Sequence, residues 1–187
     1  MTRVLLVSGH LVDRPGRPSP RFPQAAVGRV TGEMSAVFDE WAIGPHSTLI
    51  CGGARGADII GAELGLRRRA TVKLRLALPP EEFARESVHL PGTSWLDRFT
   101  SLLPRVEVEV LPAGEPAAGA SVFALANAWM IETARRIDGS PRAVVVWDGR
   151  PGDAPGGTAD FVERLGYSPG DPRLRLIDPT TVRPRAS

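Results

Sequence analysis

Short apolar runs that alternate with helical patterns are the feature of this sequence that most restricts its fold. The runs Val4–Val7, Ser47–Cys51 and Ala143–Trp147 contain no charged residue and are too short for typical helices, as is usual for strands buried on both faces. Helical periodicity follows the second run over Ala57–Arg68 and precedes the third over Val122–Ile137. This alternation predicts an α/β fold with a mainly parallel, doubly wound sheet and helices on both faces.

The rest of the chain continues the same pattern. Further strands are predicted over Thr71–Leu78, Arg105–Leu111 and Leu174–Ile177, and further helices over Gln24–Ala42 and Thr158–Leu165. In Arg105–Leu111 apolar residues alternate with charged ones, so we expect this strand to have one wet face or to lie at an edge. The chain has 187 residues, no internal repeat and no linker. The sequence therefore predicts one Rossmann-like domain over residues 1–187.

The composition limits the compartment and the binding partners that we expect for this chain. Its single cysteine, Cys51, excludes an internal disulfide and a thiolate metal site, so we expect a cytoplasmic protein without a bound metal. No apolar run approaches the ~18 residues of a membrane span, so no membrane association is expected. Basic residues barely exceed acidic ones, 23 against 21, and no basic and aromatic stripe is visible, which argues against nucleic acid as a partner.

Two glycine-rich loops, Cys51–Gly65 and Asp148–Glu163, each leave a predicted strand and enter a predicted helix. Glycine at such a junction permits positive φ and lets a phosphate or ribose approach the N–H groups of the helix N-terminus. Parallel strands bring both loops, and the end of the first strand, to the same edge of the sheet, where open α/β sheets bind ligands. The residues predicted to bind a nucleotide-type ligand at this edge are Ser8, Gly9, His10, Gly52, Gly53, Arg55, Gly56, Asn127, Asp148, Gly156, Gly157 and Thr158.

The polar side chains in this set have distinct expected roles. Arg55 lies in the first loop, where its guanidinium fork suits a phosphate. His10 ends the first strand and could contact a base or a phosphate, and Asp148 follows the fifth strand as a carboxylate at the same edge. Asn127 and Trp129 point about 200° apart on their helix. We therefore expect Asn127 to reach the site and Trp129 to join the core.

Two loops are long for a compact domain, Leu11–Pro23 and Leu111–Gly119, and both are rich in proline and glycine. Long connections of this kind are more often functional or mobile than neutral. The first carries Arg14, Arg17 and Arg21, which could fold over an anionic ligand or stay solvated.

Four segments together resemble the SLOG superfamily, namely Val7–His10, Cys51–Asp58, Asn127–Trp129 and Trp147–Thr158. The superfamily is named after the DNA-processing Smf/DprA proteins and the LOG cytokinin-activating phosphoribohydrolases, and the resemblance extends roughly from Arg3 to Ile177. Within it, the chain is most similar to bacterial SLOG domains associated with conflict and signalling systems, which are thought to recognise nucleotide-derived ligands. The resemblance implies a nucleotide-derived ligand, no separate cofactor, and a homo-oligomer or a partner effector protein.

The second glycine loop departs from the LOG pattern at one position. Residues 155–158 resemble the phosphate and ribose loop Pro-Gly-Gly-x-Gly-Thr-x-x-Glu with two residues missing, which places the glutamate at position 161, where this chain has Phe161. Asp160 and Glu163 flank that position. Three functions therefore stay open: a sensor or signalling module that only binds its ligand, a LOG-like phosphoribohydrolase (an N-glycosidase) in which Glu163 or Asp160 is catalytic, and a single-stranded nucleic-acid binder similar to DprA.

Overall fold

The structure, a computed structural model, describes residues 3–112, 121–152 and 156–181. Its strands are β1 (Arg3–Gly9), β2 (Ser47–Cys51), β3 (Thr71–Leu76), β4 (Glu107–Val110), β5 (Arg142–Val146) and β6 (Leu174–Ile177). Its helices are α1 (Val27–Glu40), α2 (Ala57–Arg67), α3 (Pro80–Phe83), α4 (Trp95–Leu102), α5 (Val122–Ile137) and α6 (Thr158–Leu165). Among the described residues, no helix has the length and apolar composition needed to span a bilayer. Most of the predicted loop Leu111–Gly119, from residue 113 onward, lies outside the described residues.

The strands of the described residues form one sheet in the order β4-β3-β2-β1-β5-β6, and all neighbouring strands run parallel. From β1 the chain builds one half of the sheet through β2, β3 and β4, and then crosses back to build the other half with β5 and β6. The point between β1 and β5, where the direction of winding reverses, is a topological switch point. The predicted Rossmann-like, doubly wound α/β fold is confirmed, and this sheet is parallel throughout.

Successive residues of the central strand β1 face opposite sides of the sheet and join two separate cores. On one side, Leu5 and Val7 belong to a core with residues of α1, α2 and α4. On the other side, Val4 and Leu6 belong to a core with residues of α5 and α6. Because helices cover both faces, both sets of side chains are buried, which explains the continuous apolar run in the sequence.

The edge strand β4 is shorter than the predicted strand Arg105–Leu111. Residues Leu103–Arg105 form a 3₁₀ turn, so the strand begins later than the alternation of apolar and charged residues suggests. The expected wet edge is present, because every residue of β4 is exposed or half-buried. Glu107 on this edge accepts a hydrogen bond from Nζ of Lys73 on β3 at 2.7 Å.

Candidate functional site

A cavity of about 400 Å³ opens at the carboxyl edge of the sheet, at the switch point between β1 and β5. Its volume falls within the range of about 300–1,000 Å³ that is usual for small-molecule sites. Its wall includes residues 8–11 at the end of β1, the loop between β2 and α2, and the end of β3. The first half of α5 and the start of α6 also contribute. This space is named the switch-point cavity below.

A larger depression, of about 660 Å³, lies at the opposite, amino-terminal edge of the sheet. It is lined by Arg3, Ala42, Thr71 and residues 44–48, which precede or begin strands β1, β2 and β3. Open α/β sheets bind ligands outside the carboxyl ends of their strands. None of the predicted site residues lines this depression. The switch-point cavity is therefore the candidate site.

Nine of the twelve predicted ligand-binding residues line the switch-point cavity. They are Ser8, Gly9, His10, Gly52, Arg55, Asn127, Gly156, Gly157 and Thr158. Gly53, Gly56 and Asp148 are not part of the wall. The backbone of Gly56 and the carboxylate of Asp148 both lie against His10, whereas a side chain at Gly53 would meet Leu76 in the core. Gly56 and Asp148 thus contact a wall residue, His10, without lining the cavity themselves. Gly53 packs against the core.

A buried hydrogen-bond chain crosses the switch point. His10, the first residue after β1, has Nε2 2.9 Å from Oδ1 of Asp148, which lies two residues after β5. Arg21 donates to both carboxylate oxygens of Asp148, from Nη2 at 2.8 Å and from Nε at 3.0 Å. Burial alone would raise the pKa of Asp148, but the hydrogen bonds from Arg21, His10 and Arg150 together hold that pKa well below its usual range. Asp148 is thus a fixed negative charge that orients the His10 ring.

The hydrogen-bond chain continues from His10 to the start of α6. Oγ1 of Thr158, the first residue of that helix, lies 3.2 Å from Nδ1 of His10. Because the Asp148 carboxylate can only accept, Nε2 of His10 carries the proton of that bond, and Nδ1 of the neutral ring accepts the Thr158 hydroxyl. Burial lowers the pKa of His10 from its ordinary value, although the hydrogen bond to Asp148 partly opposes this, and the lowered pKa favours the neutral ring.

Asp58, in the first turn of α2, is a buried carboxylate in the cavity wall. Its Oδ2 accepts a hydrogen bond from the Ala54 N–H at 3.2 Å, while Oδ1 has no hydrogen-bond partner within the described residues. Burial raises the pKa of Asp58 to about 7, although the backbone N–H groups of Ala54, Gly52 and Gly53 act in the opposite direction. The first turn of a helix favours a negative charge through the helix dipole, but at Asp58 burial outweighs this effect.

Two buried arginines bring positive charge to the cavity. Arg55 and Arg75 line it with only 5% and 4% of their surface exposed. Nε of Arg55 donates to the Val12 carbonyl at 2.9 Å, and its Nη1 has no partner within the described part of the chain. Arg75 on β3 pairs with Glu109 on β4 at 3.0 Å, and its Nε is also unpartnered among the described residues. A guanidinium group in a cavity wall suits an anionic ligand, because its fork of donors matches phosphate and carboxylate oxygens.

The second glycine loop approaches the start of α5 closely. Gly156 has a φ of +85°, and a Cβ at this position would collide with the backbone of Phe123 and Ala124. Asn127 of α5 fixes the loop by donating from Nδ2 to the Gly156 carbonyl at 3.0 Å. Gly157 precedes α6 and has no side chain with which to cap the first N–H groups of this helix. This helix start lies at the cavity wall, where it could receive a phosphate.

The two carboxylates predicted as catalytic for the enzyme hypothesis lie outside the cavity wall. Asp160 accepts hydrogen bonds from Nδ2 of Asn127 at 2.9 Å and from Nε of Arg164 at 2.8 Å. Glu163 is exposed on α6. Phe161, at the position where the LOG pattern has glutamate, is fully buried in the core that α5 and α6 form with the sheet. An acidic group at position 161 would thus enter an apolar core.

Sequence reasoning missed Arg75, although a signal was present. An arginine inside the apolar strand Thr71–Leu76 must either reach solvent or find a buried partner. Its guanidinium lies 5.2 Å from the ring centre of Trp129, which is half-buried, so the expectation that Trp129 joins the core was wrong. Phe123 also lines the cavity, but an apolar residue at the start of a helix gives no sequence signal for binding.

The remaining chemistry-bearing side chains suggest no metal centre. Within the described ranges, no group of three or more His, Cys, Asp or Glu side chains could hold a metal ion. Cys51 is buried and free, and burial raises the pKa of its thiol well above the ordinary value. His46 and His89 are both exposed, in keeping with a structural or solvent-facing role.

Comparison with known proteins adds a remote likeness. No family model matches the sequence, and no curated protein matches it. The fold is similar to the X-ray structure of DNA processing protein A (DprA) from Streptococcus pneumoniae, with 13% sequence identity and a TM-score of 0.36. The match covers 94% of this chain and 58% of that one, so this chain spans less than two thirds of that structure. At such similarity, neither the family nor the function of DprA transfers to this chain.

Proposed function

We propose that this chain binds a nucleotide or nucleotide-derived ligand in the switch-point cavity and acts as a sensor or signalling module of the SLOG type. The observation that carries the proposal is the pair of buried arginines, Arg55 and Arg75, which both line the cavity. Phosphate oxygens are acceptors that suit the guanidinium fork. Charge-assisted hydrogen bonds of this kind are about twice as strong as those between neutral groups.

The arginines of the wall also favour a phosphate. Besides His10, the ionisable side chains of the wall are Arg17, Arg21, Arg55, Arg75, Asp58 and Glu86. Two of the arginines pair with carboxylates outside the wall, Arg21 with Asp148 and Arg75 with Glu109, so the arginines supply guanidinium donors rather than a net positive charge. The start of α6, without a side-chain cap, adds backbone N–H donors to the same wall.

Another part of the wall suits a nucleobase. It is formed by the aromatic and aliphatic side chains of Ala77, Phe83, Phe123, Ala126 and Met130. Nucleobases stack on aromatic rings, and small-molecule sites are usually apolar with a few polar groups that fix orientation. The combination of an apolar wall with guanidinium donors is the reason for proposing a nucleotide rather than a free phosphate ion.

The positions of Asp160 and Glu163 support binding over a LOG-like phosphoribohydrolase reaction. Asp160 already accepts hydrogen bonds from Asn127 and Arg164, and Glu163 is exposed, so neither carboxylate lines the cavity. Incubation with nucleoside monophosphates, ADP-ribose and NAD, followed by chromatography, checks this choice. Release of free base that disappears in Glu163→Ala or Asp160→Ala would overturn the sensor proposal in favour of the N-glycosidase.

Direct measurement of binding tests the proposal itself. Mass spectrometry of small molecules that copurify with the chain would identify a tightly held ligand, and titration calorimetry with AMP, ADP, ADP-ribose and NAD would give affinities. We expect at least one nucleotide to bind with one site per chain. A blank result in both measurements, with retention of a labelled single-stranded oligonucleotide at low salt, would favour nucleic-acid binding instead.

Arg55→Gln is expected to weaken binding of the best nucleotide by about 10- to 100-fold, because a hydrogen bond to a charged group contributes about 1.5–3 kcal/mol. Glutamine removes the charge and keeps an amide that can donate to the Val12 carbonyl. Arg67→Gln is the matched control, since Arg67 is exposed at the other end of α2 and the change in net charge is the same. Equal affinities of the two variants by calorimetry would contradict a phosphate contact at Arg55.

A further inference from the structure

The three side chains that cross the switch point have the arrangement of a nucleophile, a base and an orienting acid. Thr158 Oγ1 lies 3.2 Å from His10 Nδ1, and His10 Nε2 lies 2.9 Å from Asp148 Oδ1. A hydroxyl within hydrogen-bond reach of a base, which a third group orients, is the geometric signature of an activated nucleophile. His10 and Thr158 both line the switch-point cavity, so a bound molecule could reach the hydroxyl.

We infer that Thr158 and His10 catalyse removal of the terminal phosphoryl group from the bound ligand, with Thr158 as the nucleophile and His10 as the general base. This inference rests on the proposed function, because it takes the ligand to be a nucleotide with its phosphate at the start of α6. Asp148 is a positioning residue, since it touches His10 and not the reacting atoms. The resemblance to the LOG pattern indicated different catalytic residues on α6, Asp160 and Glu163, for cleavage of an N-glycosidic bond.

The protonation of the three groups suits the first step. Asp148 receives hydrogen bonds from His10, Arg21 and Arg150 and is therefore held as a carboxylate. It fixes the His10 tautomer with the proton on Nε2 and the lone pair on Nδ1, toward Thr158. Burial, the main cause of the lowered pKa of His10, keeps the ring neutral and able to accept a proton.

The surroundings of Thr158 suit a phosphoryl group. Thr158 is the first residue of α6, so backbone N–H groups of the first turn lie next to its hydroxyl. Arg55 and Arg75 line the same cavity, and their positive charge would stabilise the negative charge of the transition state. Positioning and charge stabilisation of this kind supply most of the catalysis in phosphoryl transfer.

The reaction balances with water as the only co-reactant. Thr158 Oγ1 attacks phosphorus, the bond from phosphorus to the leaving oxygen breaks with its electron pair on that oxygen, and the hydroxyl proton passes through His10 Nδ1 to the leaving oxygen. Water then attacks the phosphothreonine, and His10 takes one proton from that water. The bond between phosphorus and Oγ1 breaks, and His10 returns the proton to Oγ1. The products are inorganic phosphate and the ligand without its terminal phosphate.

The test measures phosphate release from ADP and from p-nitrophenyl phosphate by the full chain and its variants. Thr158→Val, which keeps the shape but lacks the hydroxyl, is expected to lower kcat at least about 100-fold while the Kd for ADP changes less than about threefold. Thr158→Ser keeps the hydroxyl and should stay within about tenfold of the original rate. The exposed Thr100→Val is the matched control and should not change the rate. Acid-quenched samples should contain phosphate on Thr158 by mass spectrometry.

The role of Asp148 has its own readout. Asp148→Asn keeps an oxygen acceptor for His10 but removes the charge, and we expect kcat to fall at least about tenfold with KM within about threefold. A fall in rate that follows only the loss of folded protein in a melting experiment would overturn the positioning role.

The possible outcomes separate this inference from the proposed function. Binding of ADP without release of phosphate from either compound overturns the nucleophile assignment and leaves nucleotide binding intact. Release that persists in Thr158→Val also overturns the assignment. Hydrolysis of p-nitrophenyl phosphate that depends on Thr158, without binding of any nucleotide, supports the nucleophile assignment. It overturns the proposal that the ligand is a nucleotide. If neither binding nor hydrolysis is observed, both the nucleophile assignment and the proposed function are overturned.

Discussion

Asp58→Asn is expected to raise the free energy of unfolding by about 4 kcal/mol at about pH 8 and by very little at about pH 4. Burial raises the pKa of Asp58 from 3.8 to about 7. Between those two values the folded carboxyl keeps a proton that the unfolded chain releases, so the free energy of unfolding of the original protein falls as the pH rises through this window. Above it, the folded chain carries a buried carboxylate whose Oδ1 has no partner in the described structure. Asparagine does not titrate and avoids this cost.

Urea unfolding of both proteins at several pH values between about 4 and 8 measures this difference, because all other titrations are shared and cancel. Glu132→Gln, an exposed acid on α5, is the control, and its effect should stay within about 0.5 kcal/mol at either end of the range. A gain from Asp58→Asn that is equal at low and high pH would contradict an ionisation cost. If the gain appears, the protein retains a destabilising group in its cavity wall, as functional sites commonly do.

Gly9→Ala is expected to destabilise the protein by more than about 3 kcal/mol, because a rigid backbone contact would have to open. An ideal Cβ at Gly9 would lie 2.5 Å from the carbonyl oxygen of Val146 and 2.8 Å from its backbone nitrogen. That contact closes the end of β1 onto the end of β5, which is where His10 and Asp148 meet. The substitution should therefore reduce both stability and ligand binding.

Thermal unfolding checks this prediction, and a loss of that size should lower Tm by roughly 6–12 °C for a chain of this length. Gly28→Ala is the matched control: Gly28 lies in α1, a Cβ there meets no atom within 4 Å, and alanine is the better helix former. This control should be as stable as the original protein or up to about 1 kcal/mol more stable. A Gly9→Ala protein that melts with the control would mean that β1 and β5 do not approach so closely.

The sequence predicted the fold and nine residues of the cavity wall for one physical reason. Strands buried on both faces require continuous apolar runs, and parallel strands bring the loops that follow them to one edge. His10, Arg55 and Thr158 could be placed at that edge without knowing any side-chain direction. The predicted end of β3 at Leu78 was two residues too late, because apolar character continues past Leu76 where pairing stops.

The direction of a side chain is what the sequence could not supply. Gly53 and Gly52 are adjacent and alike in the sequence, yet only Gly52 lines the cavity, since the chain turns between them. Asp148 was expected to face the ligand, but three neighbouring side chains, His10, Arg21 and Arg150, draw its carboxylate behind the wall. The importance of Asp58 depends on how deeply α2 packs, which is a property of the assembled sheet rather than of its own segment.

The strand order also determines at which stage of folding the candidate site can form. β1 lies at the centre of the sheet, and its second neighbour is β5, whose residues follow more than 130 positions later. Contacts so distant in sequence close late and slow the search for the native state. On the ribosome, β1 must therefore wait with one edge unpaired until residues 142–146 emerge. His10 and Asp148 meet only when that edge closes, so formation of the candidate site requires that folding of the central sheet is complete.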